Sequence, residues 1–340
     1  MPSPSRQYAT SLGGASGDGT VFELSTCPSF AVSGFPSPTT AGLASTFTVT
    51  ALNADGTFNT SYAGTVRFSS SDAKAMIVDP ATGNAVGLQG FTYTFTAGDA
   101  GVHTFSATLK TAGTQSIRAA DTQTSAISGT EGSILVKPAA ASTMTVTGFP
   151  STTTAGVAGN VTVTLKDPYG NISSGYTGTV HFTSTDGKAT LPANYTFTAA
   201  DAGAHTFSVT LKTAGTRSIT VADTVMTSLN ATEGGLTVNA GAASQFIISA
   251  PSSVKSGVPF SLTLTVEDAY GNVVTDYTGT VQFSSTDNKA GLPSNYKFTT
   301  ADKGVHTFTG LVLRKKGTQK ITVTDTLNSL LTATMTESVQ

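Results

Sequence analysis

The chain has 340 residues, 38% of them hydrophobic and only 11% charged, with 18 basic against 20 acidic side chains. Such an even balance lacks the basic field that neutralises phosphates, and no nucleic-acid partner is expected. No apolar run approaches the roughly 20 residues of a membrane-spanning helix, so no membrane insertion is expected within the segment. Cys27 is the sole cysteine, which rules out an intramolecular disulfide and a multi-cysteine metal cluster; its thiol reads as incidental.

Residues 1–26 are Gly-rich and lack a basic stretch followed by an apolar one, so no signal peptide is read there. The run Gly17-Asp18-Gly19-Thr20-Val21-Phe22-Glu23-Leu24 is a single unit that cannot bury a core of its own, and it is expected to be loosely held or packed on the first sandwich. From residue 27 the chain repeats itself. The segment opening at Asp167 returns at Asp268, a shift of 101 positions, and in a looser earlier copy Tyr62, Asp72 and His103 stand for Tyr176, Asp186 and His205. A period near 100 residues far exceeds a solenoid unit of roughly 20 to 50, so each copy is expected to be a whole domain. The domains read as 27–138, 143–239 and 245–340, the last with an incomplete final strand, in which Glu337 is matched to Glu131 and Glu233. Pro138–Ser142 and Asn239–Ser244 are short, uncharged linkers.

Within each copy the elements come in the same order. A first strand is predicted over Phe30 to Phe35, Met144 to Phe149 and Phe246 to Ser249. The second alternates as Phe47, Val49, Ala51; as Val161, Val163, Leu165; and as Leu262, Leu264, Val266, a period of two that sets one face inward. A turn comes next: Asp167-Pro-Tyr-Gly-Asn171, Asp268-Ala-Tyr-Gly-Asn272 and, divergently, Asn53-Ala-Asp-Gly-Thr57. There Gly allows positive φ, and Asp and Asn bond nearby amides. The third strand carries Val66 and Phe68, Val180 and Phe182, or Val281 and Phe283. In the first copy an insertion over Met76 to Gly90 reads as a longer surface loop, or as a binding loop peculiar to that copy.

The fourth strand holds Tyr93 and Phe95, Tyr195 and Phe197, or Tyr296 and Phe298. The fifth begins in Asp-x-Gly-x-His-Thr-Phe, from Asp99, Asp201 and Asp302, and Gly310 marks a β-bulge in the third copy. A sixth strand carries Ile117, Ile219 and Val221, or Ile321 and Val323, and the last carries Ile134 to Val136 or Leu236 to Val238. Seven short strands in about 100 residues describe an all-β immunoglobulin-like Greek-key sandwich. Stacked end to end, three such sandwiches would be elongated, on the order of 100 Å.

The run Val-Thr-Leu-Lys-Asp-Pro-Tyr-Gly-Asn ending at Asn171, the Gly-Thr-Val-x-Phe strand and the stretch Thr-Leu-Lys-Thr-Ala-Gly-Thr-x-Ser-Ile-Thr-Val-Ala-Asp ending at Asp223 resemble tandem bacterial Ig-like domains of the invasin and intimin type, found in very large secreted or surface proteins. The resemblance covers about residues 28–340. The piece from Gly13-Gly14 through Gly17–Leu24 resembles the closing unit of Gly-Asp-Gly-Thr-Val-Phe-x-Leu repeats that build propeller-like arrays. The likeness implies an extracellular or cell-surface stalk or adhesive surface, with neighbouring domains in a longer chain.

The candidate chemistry is sparse. His103, His205 and His306 recur one per copy and His181 is unmatched, so these read as structural histidines near a strand start rather than as ligands or bases. Asp167, Asn171, Asp268, Asn272 and Asp276 are the candidate calcium ligands, being hard oxygen donors at one turn, although such residues ordinarily form turns. Tyr169 and Tyr270, with Tyr176 and Tyr277 nearby, are the candidate carbohydrate platforms in a chain without Trp. No Gly-x-Ser-x-Gly elbow, Walker loop or zincin pair occurs, so no enzyme activity and no cofactor are expected. The expected function is a non-catalytic structural or adhesive repeat region facing cell-surface or polysaccharide ligands. The alternative is a carbohydrate-binding accessory module of a larger extracellular enzyme.

Overall fold

The computed structural model describes residues 27–340, together with the backbone of Tyr8–Ala9 and Phe22–Glu23, which pair antiparallel. The remainder of 1–26, including the other residues of the run read as a propeller-like unit, lies outside the described residues.

Three β-sandwiches account for the rest. In the first, one sheet orders the strands Ser29–Ser33, Ala44–Leu52, Val102–Thr108, Met76–Val78 and Ala85–Gly87. The facing sheet orders Thr39–Thr40, Ser128–Lys137, Gly113–Asp121, Thr65–Ser70 and Thr92–Thr94. The first, second and fifth strands of each repeat thus oppose the last, sixth, third and fourth. The second and third repeats keep this order with a three-stranded and a five-stranded sheet.

The alternation seen in the sequence sets the layers. Phe47, Val49 and Ala51 point inward and are at most 2% exposed, as are Val161, Val163, Leu165 and Leu262, Leu264, Val266. Between them the outward threonines pair across strands, Thr48 with Thr104 at 3.0 Å, Thr162 with Thr206 at 2.9 Å and Thr263 with Thr307 at 2.9 Å, which is where the threonine-rich composition goes. Inside, Phe68 meets Phe105 edge to face at 4.8 Å, and Phe182–Phe207 and Phe283–Phe308 repeat the contact at 4.7 Å.

After its first strand each repeat changes sheet and runs parallel to its own last strand: Thr39–Thr40 beside Val136–Lys137, Thr152–Thr154 beside Thr237–Asn239, Ser253–Val254 beside Ser338–Val339. Glu131 stabilises that crossing by accepting the Phe35 N–H at 2.9 Å, and Glu233 accepts those of Gly148 and Phe149 at 3.0 and 3.2 Å.

Four local features differ from or refine the sequence reading. The insertion in the first repeat is not a loop: Met76–Val78 and Ala85–Gly87 form a hairpin that extends the first sheet, with Ile77 and Leu88 fully buried. The bulge at Gly310 is present, with φ +78° and a register shift opposite Phe260 and Leu262.

The final strand Thr332–Val339, expected to be incomplete, pairs along Gly317–Asp325 as far as Val339 opposite Gly317. Glu337 is not the counterpart of Glu131 and Glu233. Those two stand opposite Ile117 and Ile219, a place taken in the third repeat by Met335 opposite Ile321. Glu337 stands opposite Gln319, where the earlier repeats have Ile134 opposite Gln115 and Leu236 opposite Arg217. The cause is spacing: the amides of Asp121 and Asp325 fix Ile127 and Leu331 alike, but Glu131 comes four residues later (131 − 127) and Glu337 six (337 − 331). Glu337 is 1% exposed, and neither carboxylate oxygen has a hydrogen-bond partner among the described residues.

By contacts, the described residues group into two compact units: one comprises those up to Thr143 with Leu165–Tyr176 and Thr198–Gly203, the other Met144–Thr164, Thr177–Phe197 and Ala204–Gln340. The limits depart from the repeat because the turn after Leu165 is bonded to the first sandwich.

Candidate functional site

That turn, in the first unit, is built around Asp167. Its Oδ1 accepts the N–H groups of Tyr169 and Asn171, both at 2.9 Å, and its Oδ2 accepts Asn171 Nδ2 at 2.8 Å and the Ala139 N–H of the linker at 3.0 Å. Gly170 has φ +87°, a left-handed conformation that glycine adopts without strain. Burial alone would raise the Asp167 pKa, but the bonds from Asn171 and the backbone amides outweigh it and hold the carboxyl below its usual range.

The ordered turn projects two side chains onto the first sandwich. Asn171 accepts the Ala112 N–H at 2.9 Å and donates to the Lys110 carbonyl at 2.8 Å, satisfying one backbone donor and one acceptor with a single amide. Lys74 Nζ donates to the Tyr169 carbonyl at 2.6 Å. The Tyr169 ring fills the space over Gly42, where a Cβ would come within 2.0 Å of its hydroxyl oxygen, and Lys110 Nζ lies 5.8 Å from the ring centroid. The receiving surface is held by buried Asp72, which accepts the N–H groups of Lys74 at 2.9 Å, Lys110 at 2.5 Å and Thr111 at 2.9 Å, and the Thr111 hydroxyl at 2.6 Å.

The second unit contains the same arrangement, bond for bond. Asp268 accepts Tyr270 N, Asn272 N, Asn272 Nδ2 and Gly241 N. Asn272 bridges the Ala214 N–H and the Lys212 carbonyl, each at 2.8 Å, and Lys188 Nζ reaches the Tyr270 carbonyl at 2.5 Å. Asp186 organises Lys188, Lys212 and Thr213 as Asp72 does their counterparts.

Of the calcium and sugar candidates, Asp167, Tyr169 and Asn171 are therefore brought together, and likewise Asp268, Tyr270 and Asn272, but each set as a clasp. Each oxygen of Asp167 and Asp268 already accepts two N–H donors. Asp276 is exposed, and among the described residues no group of three or more His, Cys, Asp or Glu side chains is placed to hold a metal ion. Tyr169 and Tyr270 are half-buried against glycines rather than offered as platforms. Tyr176 and Tyr277 are not exposed as expected: Tyr176 is 7% exposed, and Tyr277 donates to Asp325 as Tyr62 does to Asp121 at 2.5 Å. Sequence reasoning missed Asp72, Lys74 and Gly42 with their counterparts, although the recurring Asp-x-Lys of Asp72–Lys74, Asp186–Lys188 and Asp287–Lys289 was available as a signal.

The recurrent histidines are held in place. His103 Nδ1 lies 2.6 Å from Asp99 Oδ1 and 3.0 Å from the Tyr93 hydroxyl, with its ring 4.3 Å from that of Tyr93; His306 lies 2.8 Å from Asp302 and 3.9 Å from the Tyr296 ring. Burial pushes Asp99 up, but the Thr96 N–H, His103, the Thr96 hydroxyl and Tyr93 together bring it down to about 2.

No known family profile and no curated protein matches the chain. Among solved structures, the chain is similar to the Escherichia coli adhesin FdeC, at 20% identity over 93% of this chain and 98% of that one, with a TM-score of 0.43. It is similar to invasin, a bacterial integrin-binding protein, at 18% identity over 92% of this chain and 60% of the other, TM-score 0.35. It is also similar to Yersinia pseudotuberculosis InvD, at 14% identity over 92% and 96%, TM-score 0.37. At TM-scores below 0.5 these are likenesses and nothing more.

Proposed function

We propose that the chain is a non-catalytic structural and adhesive repeat region of a secreted or surface-anchored bacterial protein, with domains 27–138, 143–239 and 245–340, presenting surface to cell-surface ligands. The observation that carries this reading is the clasp made twice from the same residue types, Tyr169 and Asn171 in one unit and Tyr270 and Asn272 in the other. Polar side chains that a catalytic or sugar site would spend on a ligand are spent on holding consecutive repeats to one another. Repetition of that kind supplies reach and surface.

The test is a pull-down of the purified chain with whole cells and with insoluble polysaccharides. Retention on cells without selectivity among the polysaccharides is the expected result. Selective retention on one polysaccharide, lost in Tyr169→Ala or Tyr270→Ala, would replace this reading with a carbohydrate-binding module.

A further inference from the structure

The third sandwich carries the receiving half of the clasp again. Asp287 is buried and accepts the N–H groups of Lys289 at 2.9 Å, Arg314 at 2.6 Å and Lys315 at 2.9 Å, the set that Asp72 and Asp186 collect. Lys289 continues the series of Lys74 and Lys188. Gly257 donates to the Leu313 carbonyl as Gly42 and Gly156 do to Leu109 and Leu211, and its φ of +81° matches theirs of +84° and +86°. What differs is the space above it. A Cβ on Gly42 or Gly156 would strike a tyrosine, whereas one on Gly257 would meet nothing within 4 Å among the described residues. Arg314, Lys315 and Lys316 are exposed where Lys110, Thr111, Ala112 and Lys212, Thr213, Ala214 are half-buried.

We infer that this face receives the Asp-x-Tyr-Gly-Asn turn of a further β-sandwich joined to the same chain by a short linker. The tyrosine ring would rest on Gly257 and the asparagine would bridge the Lys316 N–H and the Arg314 carbonyl. That carbonyl already accepts the Ser256 hydroxyl at 2.8 Å, and its second lone pair serves the asparagine. Replacing Thr–Ala by Lys315–Lys316 adds positive charge, which suits a turn with acidic neighbours such as the Glu267 and Asp276 that flank Asp268–Asn272. The turns at Tyr169 and Tyr270 are engaged, and the first repeat's own turn, Asn53–Thr57, has neither the tyrosine nor the final asparagine, so a second copy of this chain is a poor occupant. The inference stands on geometry, whatever the chain as a whole binds.

The experiment extends the full chain after Gln340 by Ala-Gly-Ala-Ala-Ser and a second copy of residues 245–340, and monitors amide hydrogen exchange. The Lys316 amide is expected to slow by at least ~10-fold on extension. The Asn→Ala change in the appended turn should restore fast exchange while the appended core amides stay protected. Unchanged Lys316 exchange beside a folded appended copy overturns the inference. A cyclic Glu-Asp-Ala-Tyr-Gly-Asn-Val peptide titrated into the unextended chain gives a second reading. It should shift the Lys316 and Gly257 amide resonances and its Asn→Ala form should not; no shift at millimolar peptide counts against the inference. Self-association of the unextended chain that protects Lys316 would assign the face to a second copy instead.

Discussion

Tyr270 lies against Gly156 so closely that a Cβ on that glycine would stand 2.1 Å from the tyrosine hydroxyl oxygen. Gly156 also has φ +86°, so Gly156→Ala meets both a clash and backbone strain. The tyrosine must lift, and the Asn272 bridge to Ala214 must loosen with it. Exchange of the Ala214 amide is expected to quicken by about 10-fold or more, corresponding to at least ~1.4 kcal/mol. Gly257→Ala, which meets no atom of the described residues within 4 Å, is the control for strain alone.

Asn171→Ala removes one side chain and strands two backbone groups, the Ala112 N–H and the Lys110 carbonyl. Unsatisfied groups of this kind cost about 1–3 kcal/mol when they are shielded from water, less where water reaches them. A drop in the urea midpoint of the first unfolding transition is the expected reading. Asn171→Asp should be as damaging or worse, because it keeps an acceptor for Ala112 but loses the donor to Lys110 and to Asp167. Wild-type behaviour in either variant would mean that the turn is held by Tyr169 and Lys74 alone.

Acid should loosen the Asp–His corner of the first repeat. Asp99 is held down to about 2 against an ordinary 3.8, so the folded state favours its ionised form. The stabilisation is present above pH 3.8 and is lost as pH falls towards 2. Carboxyl carbon NMR should show Asp99 titrating near 2, and His103→Gln should move that midpoint upward. A midpoint near 3.8 in the parent chain would show that the His103 and Thr96 bonds do not persist in solution.

Glu337 predicts the opposite pH dependence. Burial raises its pKa from 4.5, so the third sandwich is spared the cost of a buried charge at pH well below 4.5 and loses stability as the pH rises from there through the raised value. Glu337→Leu restores the residue type of Leu236 and should stabilise the third sandwich at neutral pH by about 1–3 kcal/mol, with the gain shrinking at pH 4. Thermal melts of both proteins across that range decide it: a gain independent of pH would assign the effect to packing rather than to charge.

Calcium should leave the chain unmoved. The four N–H donors on Asp167 and the four on Asp268 compete for the oxygens a cation would need. Melting curves in excess EDTA and in millimolar calcium are expected to superimpose, and a calcium-dependent rise would reopen the turn as a metal site.

The strands were legible because each buries one face: Val161, Val163 and Leu165 announce their side of the sheet by spacing alone. The hairpin at Met76–Val78 was not, since three residues give too short a run for a period, and a partner as distant as Ala107 and Thr108 decides the conformation. Glu337 misled because Thr336-Glu337 repeats Thr130-Glu131 in letters while the two added residues before it move the side chain along the sheet into the core. The clasp was half legible. Asp167, Tyr169 and Asn171 stood out as a turn, but their contacts lie 59 to 95 residues away, at Ala112, Lys110 and Lys74, and nothing local in a turn says what it touches.

The parallel pairing of Thr39–Thr40 with Val136–Lys137 places the segment that follows the first strand beside the exit of the same sandwich, pointing the same way. Tension applied to the two ends draws these neighbours past each other lengthwise, so the ladder bonds between them bear the load together instead of opening one at a time. The same geometry recurs at Thr152–Thr154 and at Ser253–Val254. A pull along the chain therefore meets a bolt laid across each bead.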